Sequence, residues 1–226
     1  MKKLNYLVLL SVLWMTVSCA VKVPMNEDYL QKPGKVGIFV NVTEPQKYRE
    51  GSQGLLDLAV TSGDKYQPLL DYVKGQFNPK QDLITLYVQA MRDRGQEVVV
   101  IDEEFDAKNA NKFKGEKAEG KKYSTYDLGY LKNKYNVDNV IFVNMNWGIM
   151  VSYYSMIETG RAAFAYIDTK VVNLDDQSLY YSNPEAQSIV IKGKWNTPPA
   201  YENAAGKIRE AVDKTIEAER KTFMKK

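Results

Sequence analysis

The segment that most restricts the fold lies past mid-chain. From Asn139 to Trp147 the residues alternate, with Ile141, Val143, Met145 and Trp147 on one side and Phe142, Asn144 and Asn146 on the other. The run continues through Ile149 to Ser155 without a firm break. A period of two is the signature of an extended strand with one buried face. Glu158-Thr159-Gly160 supplies turn residues, and Arg161 to Leu174 reads as the return strand. A long antiparallel hairpin therefore dominates the chain, and its apolar face needs helices to cover it.

Those helices are legible on both sides of the hairpin. Lys35 to Val42 is a short β-branched run that reads as a buried strand. Leu55 to Val60 is apolar but brief, and Asp64 to Lys74 spaces Leu69, Leu70 and Val73 as a short helix would. Asn78-Pro79-Lys80-Gln81 is a helix start with a capping residue and proline at the first helical position. Leu83, Tyr87, Ala90 and Met91 follow at helical spacing, Gly95 supplies the left-handed stop, and Glu97 to Asp102 reads as a strand. Residues 103–123 carry six lysines interspersed with acids and glycines, which reads as a solvated loop more than a basic surface. Ser124 to Asp127 resembles a second capping box before Leu128, Leu131 and Tyr135, with Asn136 as its stop. Beyond the hairpin, Asp175-Asp176-Gln177 is a turn, and Ser178 to Ser182 and Ala186 to Ile191 are strands around Asn183-Pro184. Ala204, Ile208, Ala211, Val212, Ile216 and Phe223 define an amphipathic last helix. The expected fold is α/β (α+β): one domain over residues 35–226, with a mixed, mostly antiparallel sheet flanked by helices, the long hairpin and a C-terminal helix.

Composition removes most chemistry. The 226 residues include no histidine and a single cysteine. Ser-His-Asp and Cys-His nucleophiles, His-ligated metals and internal disulfides are thereby excluded. The acids Asp102-Glu103-Glu104 and Asp175-Asp176 sit at a strand end and a turn, without the opposed geometry of a glycosidase or the spacing of a calcium loop. No phosphate-binding glycine motif is present. The expectation is a non-enzymatic protein with no catalytic residues, no metal and no cofactor. Thirty-one basic residues against 28 acidic ones give a charge of only +3, too little to imply a nucleic-acid partner. A mean hydropathy of −0.43 excludes a polytopic membrane protein.

The amino terminus carries an address. Lys2 and Lys3 precede a mostly apolar stretch from Leu4 to Val17, too short to cross a bilayer, and then Ser18 and the lone Cys19. Thr16-Val17-Ser18-Cys19 resembles the lipobox of bacterial lipoproteins, with Thr16 in place of the usual branched aliphatic residue. That resemblance implies a signal peptide over 1–18, lipidation at Cys19, a tether over 19–34 and a membrane partner reached through the lipid. Ala20, where an aspartate would retain many lipoproteins in the inner membrane, implies the periplasmic face of an outer membrane. Removing residues 1–18 takes Lys2 and Lys3, leaving 29 of the 31 basic residues against the same 28 acids. The mature body is nearly neutral, so net charge is not its mode of recognition.

A wider resemblance rests on Val36 to Val42, the helix–Gly95–strand passage, Val137-Asp138-Asn139-Val140-Ile141, and the hairpin ending Val172-Asn173-Leu174-Asp175-Asp176-Gln177-Ser178-Leu179. The pattern is similar to the envelope lipoproteins of the anticodon-binding-like α/β group, which includes the curli-export lipoprotein CsgG and the amino-terminal domain of TolB. It implies an assembly or scaffolding component of a secretion or transport machine, with an envelope protein as partner; a homo-oligomer is compatible with it. Trp147, Tyr153, Tyr154, Tyr166, Tyr180 and Tyr181 are the residues expected to form a contact surface, or else strand residues packed into the core. The alternative function is binding of peptidoglycan or another glycan through the same tyrosines. Each arm of the 147–166 hairpin has the length of a membrane strand, and Ile149, Val151, Tyr153 and Ile157 are the residues that would then face lipid. A lone hairpin with Ala162, Ala163 and Ala165 in its band reads as a soluble element instead.

Overall fold

Val36, Ile38 and Val40 point to one side of the first strand and Phe39 to the other, and all four are buried. Strand β1 (Lys35–Val42) therefore runs through the middle of a sheet with material on both faces. The computed structural model describes residues 22–27, 29 and 34–224; the signal segment, Cys19 and half of the expected tether lie outside them. Of the described half, Val23 pairs with Ser182 and Tyr29 is buried in the core, so that part is packed on the domain instead of forming a free tether. After β1 come β2 (Gln46–Ser52), α1 (Leu55–Val60), α2 (Gln67–Gln76), α3 (Pro79–Arg92), β3 (Glu97–Val100) and α4 (Tyr130–Tyr135). The hairpin strands β4 (Asn139–Tyr154) and β5 (Ile157–Asn173), then β6 (Leu179–Val190) and α5 (Glu202–Phe223), complete the described chain.

The fold is a mixed α/β arrangement built on one six-stranded sheet. Its order is β3-β1-β4-β5-β6, with β1 parallel to β3 and β4, and β4-β5-β6 antiparallel. Strand β2 continues where β1 leaves off, pairing with Gly148 to Tyr154 of β4. Helices α2, α3 and α5 cover one face through Leu69, Val73, Leu83, Tyr87, Ile208, Val212 and Phe223, against Ile141, Val143, Met145 and Ile167 of the sheet. On the other face Phe39, Phe142 and Val172 pack beneath Ile101, Leu128, Leu131 and Val137. No helix among the described residues is long and apolar enough to cross a membrane.

Several elements differ from the sequence reading, each for a physical reason. Strand β2 was unread because Gln-Lys-Tyr-Arg-Glu-Gly-Ser lacks an apolar face; the β4 ladder holds it. Gly148 makes this possible: its φ is +140° and a Cβ there would lie 2.2 Å from the Gln46 carbonyl oxygen. The capping box at Ser124 does not start a helix. The Ser124 hydroxyl turns back to Tyr126, and Gln177 takes the Leu128 amide, so α4 begins only at Tyr130. It ends at Asn136 with φ +51°, as the sequence indicates. The hairpin turns at Ser155-Met156 instead of Glu158-Thr159-Gly160, with Tyr154 opposite Ile157 and Ser155 at φ +53°. Pro184 does not divide β6, because β6 is an outer strand and Pro184 sits opposite Asp168 without a donor to lose on its free side.

Candidate functional site

The hairpin stays covered on its helical side as far as Tyr153, and only its tip stands clear of the layer. Strands β4 and β5 are 16 and 17 residues long, and at their far end only β2 flanks them. At the tip Tyr154, Met156 and Ile157 are 74%, 50% and 67% exposed. Beside it lies α1, Leu-Leu-Asp-Leu-Ala-Val, in which no residue is buried. Leu55 and Leu56 are 86% and 78% exposed, and Leu58 and Val60 are exposed with them.

This helix is turned inside out. An ordinary surface helix buries its apolar stripe and shows its polar one. In α1 the polar groups bond inward. The Asp57 carboxylate accepts from the Gly54 amide at 2.8 Å and from the Ser155 hydroxyl at 3.0 Å, tying the helix to the hairpin turn. The Arg49 guanidinium donates to the Thr61 hydroxyl and carbonyl at 2.7 and 2.9 Å, and the Lys47 ammonium to the same carbonyl at 3.0 Å. Gln53 bridges Thr61 and the Ser155 carbonyl. Desolvation and the neighbouring Arg49 push the Lys47 ammonium below its usual range. The leucines are thus presented to water by a network of hydrogen bonds beneath them.

A second cluster stiffens the base of the tip. The Glu158 carboxylate receives Lys65 at 2.8 Å, the Tyr66 hydroxyl at 2.6 Å and Arg161 at 2.6 Å. Burial alone would raise this carboxyl, but the three donors outweigh it and hold it below the ordinary range. Tyr66 lies 4.5 Å from Trp195, and Lys65 and Arg161 stand over the tryptophan ring at 5.5 Å each. Strand β5, the start of α2 and the segment before α5 meet at this point, which fixes the direction of the tip.

The six aromatic residues singled out in the sequence do not share one exposed face. Trp147, Tyr153 and Tyr181 are core residues. The alternation of β4 places the first two with Ile149 and Val151 on the helix-covered side, where Trp147 donates to the Thr43 carbonyl at 2.9 Å. Tyr181 packs edge-on against Phe223. Tyr166 and Tyr180 are half-buried, Tyr180 stacking on Tyr29 at 5.0 Å. Only Tyr154 is exposed, at the tip. The shared tyrosine surface that protein or glycan contact would need is therefore not formed. Of the residues named as lipid-facing, Ile149, Val151 and Tyr153 are buried and Ile157 alone is exposed. The leucines of α1 were missed as a site; the signal was a brief apolar run followed by Thr-Ser-Gly with no partner stripe.

The acidic groups are engaged structurally. Glu103 accepts from Tyr135 at 2.5 Å and Lys134 at 2.8 Å, Asp102 pairs with Lys80, and Asp175 and Asp176 pair with Lys132 and Lys121. Among the described residues no group of three or more histidines, cysteines, aspartates and glutamates is placed to hold a metal. A crevice of about 430 Å³ lies between the β1–β2 corner and the start of α3, where Lys74 and Lys80 are already paired with Glu44 and Asp102.

No protein-family model and no curated protein matches the chain. Solved structures to which the chain is similar include a neuraminyllactose-binding hemagglutinin homolog from Helicobacter pylori, at 13% identity over 84% of each chain with a TM-score of 0.36. A protein of the DUF330 family from Xanthomonas campestris is 12% identical over 88% of this chain and 89% of its own, with a TM-score of 0.36. The lipoprotein GNA1162 from Neisseria meningitidis is 10% identical over 82% of this chain and 99% of its own, with a TM-score of 0.33. At that distance the likeness transfers neither a function nor a partner to this chain.

Proposed function

We propose that the protein is a lipid-anchored envelope lipoprotein that works by protein–protein contact, as a scaffolding or assembly component in the manner of the CsgG and TolB-like group. The anchor reading rests on the cationic start, the apolar segment and Ser18-Cys19; two or more acyl chains on Cys19 give a stable hold on a leaflet. The outer membrane, on its periplasmic side, is the location Ala20 favours. The contact reading rests above all on α1, whose leucines are held outward by Asp57 and Thr61 beside an apolar hairpin tip. An apolar patch of this kind marks an interaction site. Labelled palmitate is expected to enter the wild-type protein and not Cys19→Ser, which should leave the membrane fraction. A photo-crosslinking residue at position 154 should capture protein in intact cells. Absence of label would overturn the anchor, and absence of any protein crosslink from position 154 would overturn the contact reading.

A further inference from the structure

We propose that the apolar cap formed by α1 and the hairpin tip is closed by the cap of a second copy of this chain in a two-fold arrangement. The inference rests on the contact reading above and names its partner.

Area is the first argument. The seven exposed side chains of the cap present on the order of 700 Å² of apolar-residue surface, at the upper limit for a monomer and close to the roughly 800 Å² that one partner contributes to a standard interface. Outside the cap the exposed large apolar residues among the described ones are Val100, Tyr130 and Val190.

Position is the second. Val23 exchanges backbone hydrogen bonds with Ser182 on β6, at the level of Lys170 and Phe142. Cys19 is four residues before Val23, which keeps it within about 14 Å by chain length alone. The top of β4 stands twelve residues beyond Phe142, roughly 40 Å at the rise of a strand. The cap also lies at the β2 edge, whereas Val23 is on the β6 edge. The cap and the described start of the chain therefore lie at opposite edges and different levels of the sheet.

Charge is the third. Asp57, Arg49 and Lys47 bond inward beneath the leucines, so these three groups do not face a partner laid on the apolar side of α1.

Sedimentation velocity of the mature chain carrying Cys19→Ser tests this directly. A monomer–dimer equilibrium with a dissociation constant of about 10 μM or tighter is expected. Leu56→Asp and Ile157→Asp should each weaken it at least roughly tenfold, while Val100→Asp, at the other end of the sheet, leaves it unchanged. Circular dichroism establishes that each variant is folded. A chain that stays monomeric to about 100 μM, or a dimer indifferent to Leu56→Asp and Ile157→Asp, overturns the proposal. So does flotation of the Cys19→Ser protein with phosphatidylethanolamine–phosphatidylglycerol vesicles that Leu56→Asp abolishes, because lipid would then be the occupant. A monomer that still takes up palmitate and crosslinks other proteins from position 154 removes only this inference; a dimer without label removes only the anchor.

Discussion

Glu219 projects from α5 into the helix-covered core and is fully buried. One carboxylate oxygen accepts from the Tyr87 hydroxyl of α3 at 2.6 Å, and the other has no hydrogen-bond partner among the described residues. Thr169 of β5 shares the Tyr87 hydroxyl at 3.2 Å, and Tyr181 of β6 lies close by. Desolvation pushes the carboxyl up from 4.5 to about 7, with Glu185 and Asp168 adding to the rise. The sign follows from proton counts. Between about pH 4.5 and 7 the folded state keeps a proton that the unfolded chain has released, so stability falls as the pH rises through that window. Above it the penalty levels off at about 3 kcal/mol. Glu219→Gln should therefore be more stable than wild type by up to that amount at pH 8, and nearly equal to it at pH 4. Urea unfolding at the two pH values checks both points. At the tip, Asp57→Ala removes the acceptor that ties α1 to Ser155 and should raise amide exchange over residues 55–60 while global stability changes by less than about 1 kcal/mol.

Among the elements, those whose ends are written in local chemistry could be read directly. Asn78 caps α3 through the Gln81 amide at 3.2 Å, Pro79 opens it, and Gly95 turns the chain at φ +74° into β3. The buried stripe of α5 was equally plain from Ala204, Ile208, Val212 and Phe223. What escaped was set by distant partners. Strand β2 exists because Gly148 lets its backbone come close, and Ser124 fails to cap because Gln177, fifty-three residues further on, takes the Leu128 amide. Gly148→Ala should thus cost at least about 2 kcal/mol, combining an unfavourable φ with a backbone clash, and should expose the β2 amides to exchange first. Phe223→Ala removes a ring set edge-on against Tyr87 at 5.0 Å and Tyr181 at 5.4 Å. It should destabilise the fold by about 3–5 kcal/mol in chemical denaturation.

For the whole molecule, the alternation of β4 revealed that the strand has two sides but not how far the helices reach along it. Trp147 and Tyr153 fell under the helical layer, while Tyr154 escaped it by one residue and by its place at the tip. The site was therefore legible as a hairpin and illegible as a surface. Exposed leucines also look like core leucines in a sequence; only the inward bonds of Asp57 and Thr61 distinguish them.

The hairpin is also a ruler. Its 16-residue arm measures about 50 Å at strand rise, which sets how far the tip stands from the β1 and β3 end of the sheet. Deleting two residues from each arm would shorten the reach by about 7 Å and keep every side chain on its own face. Deleting one from each would turn Tyr154 toward the interior and Tyr153 toward water. Any structure built around this tip must tolerate changes in length only in even steps.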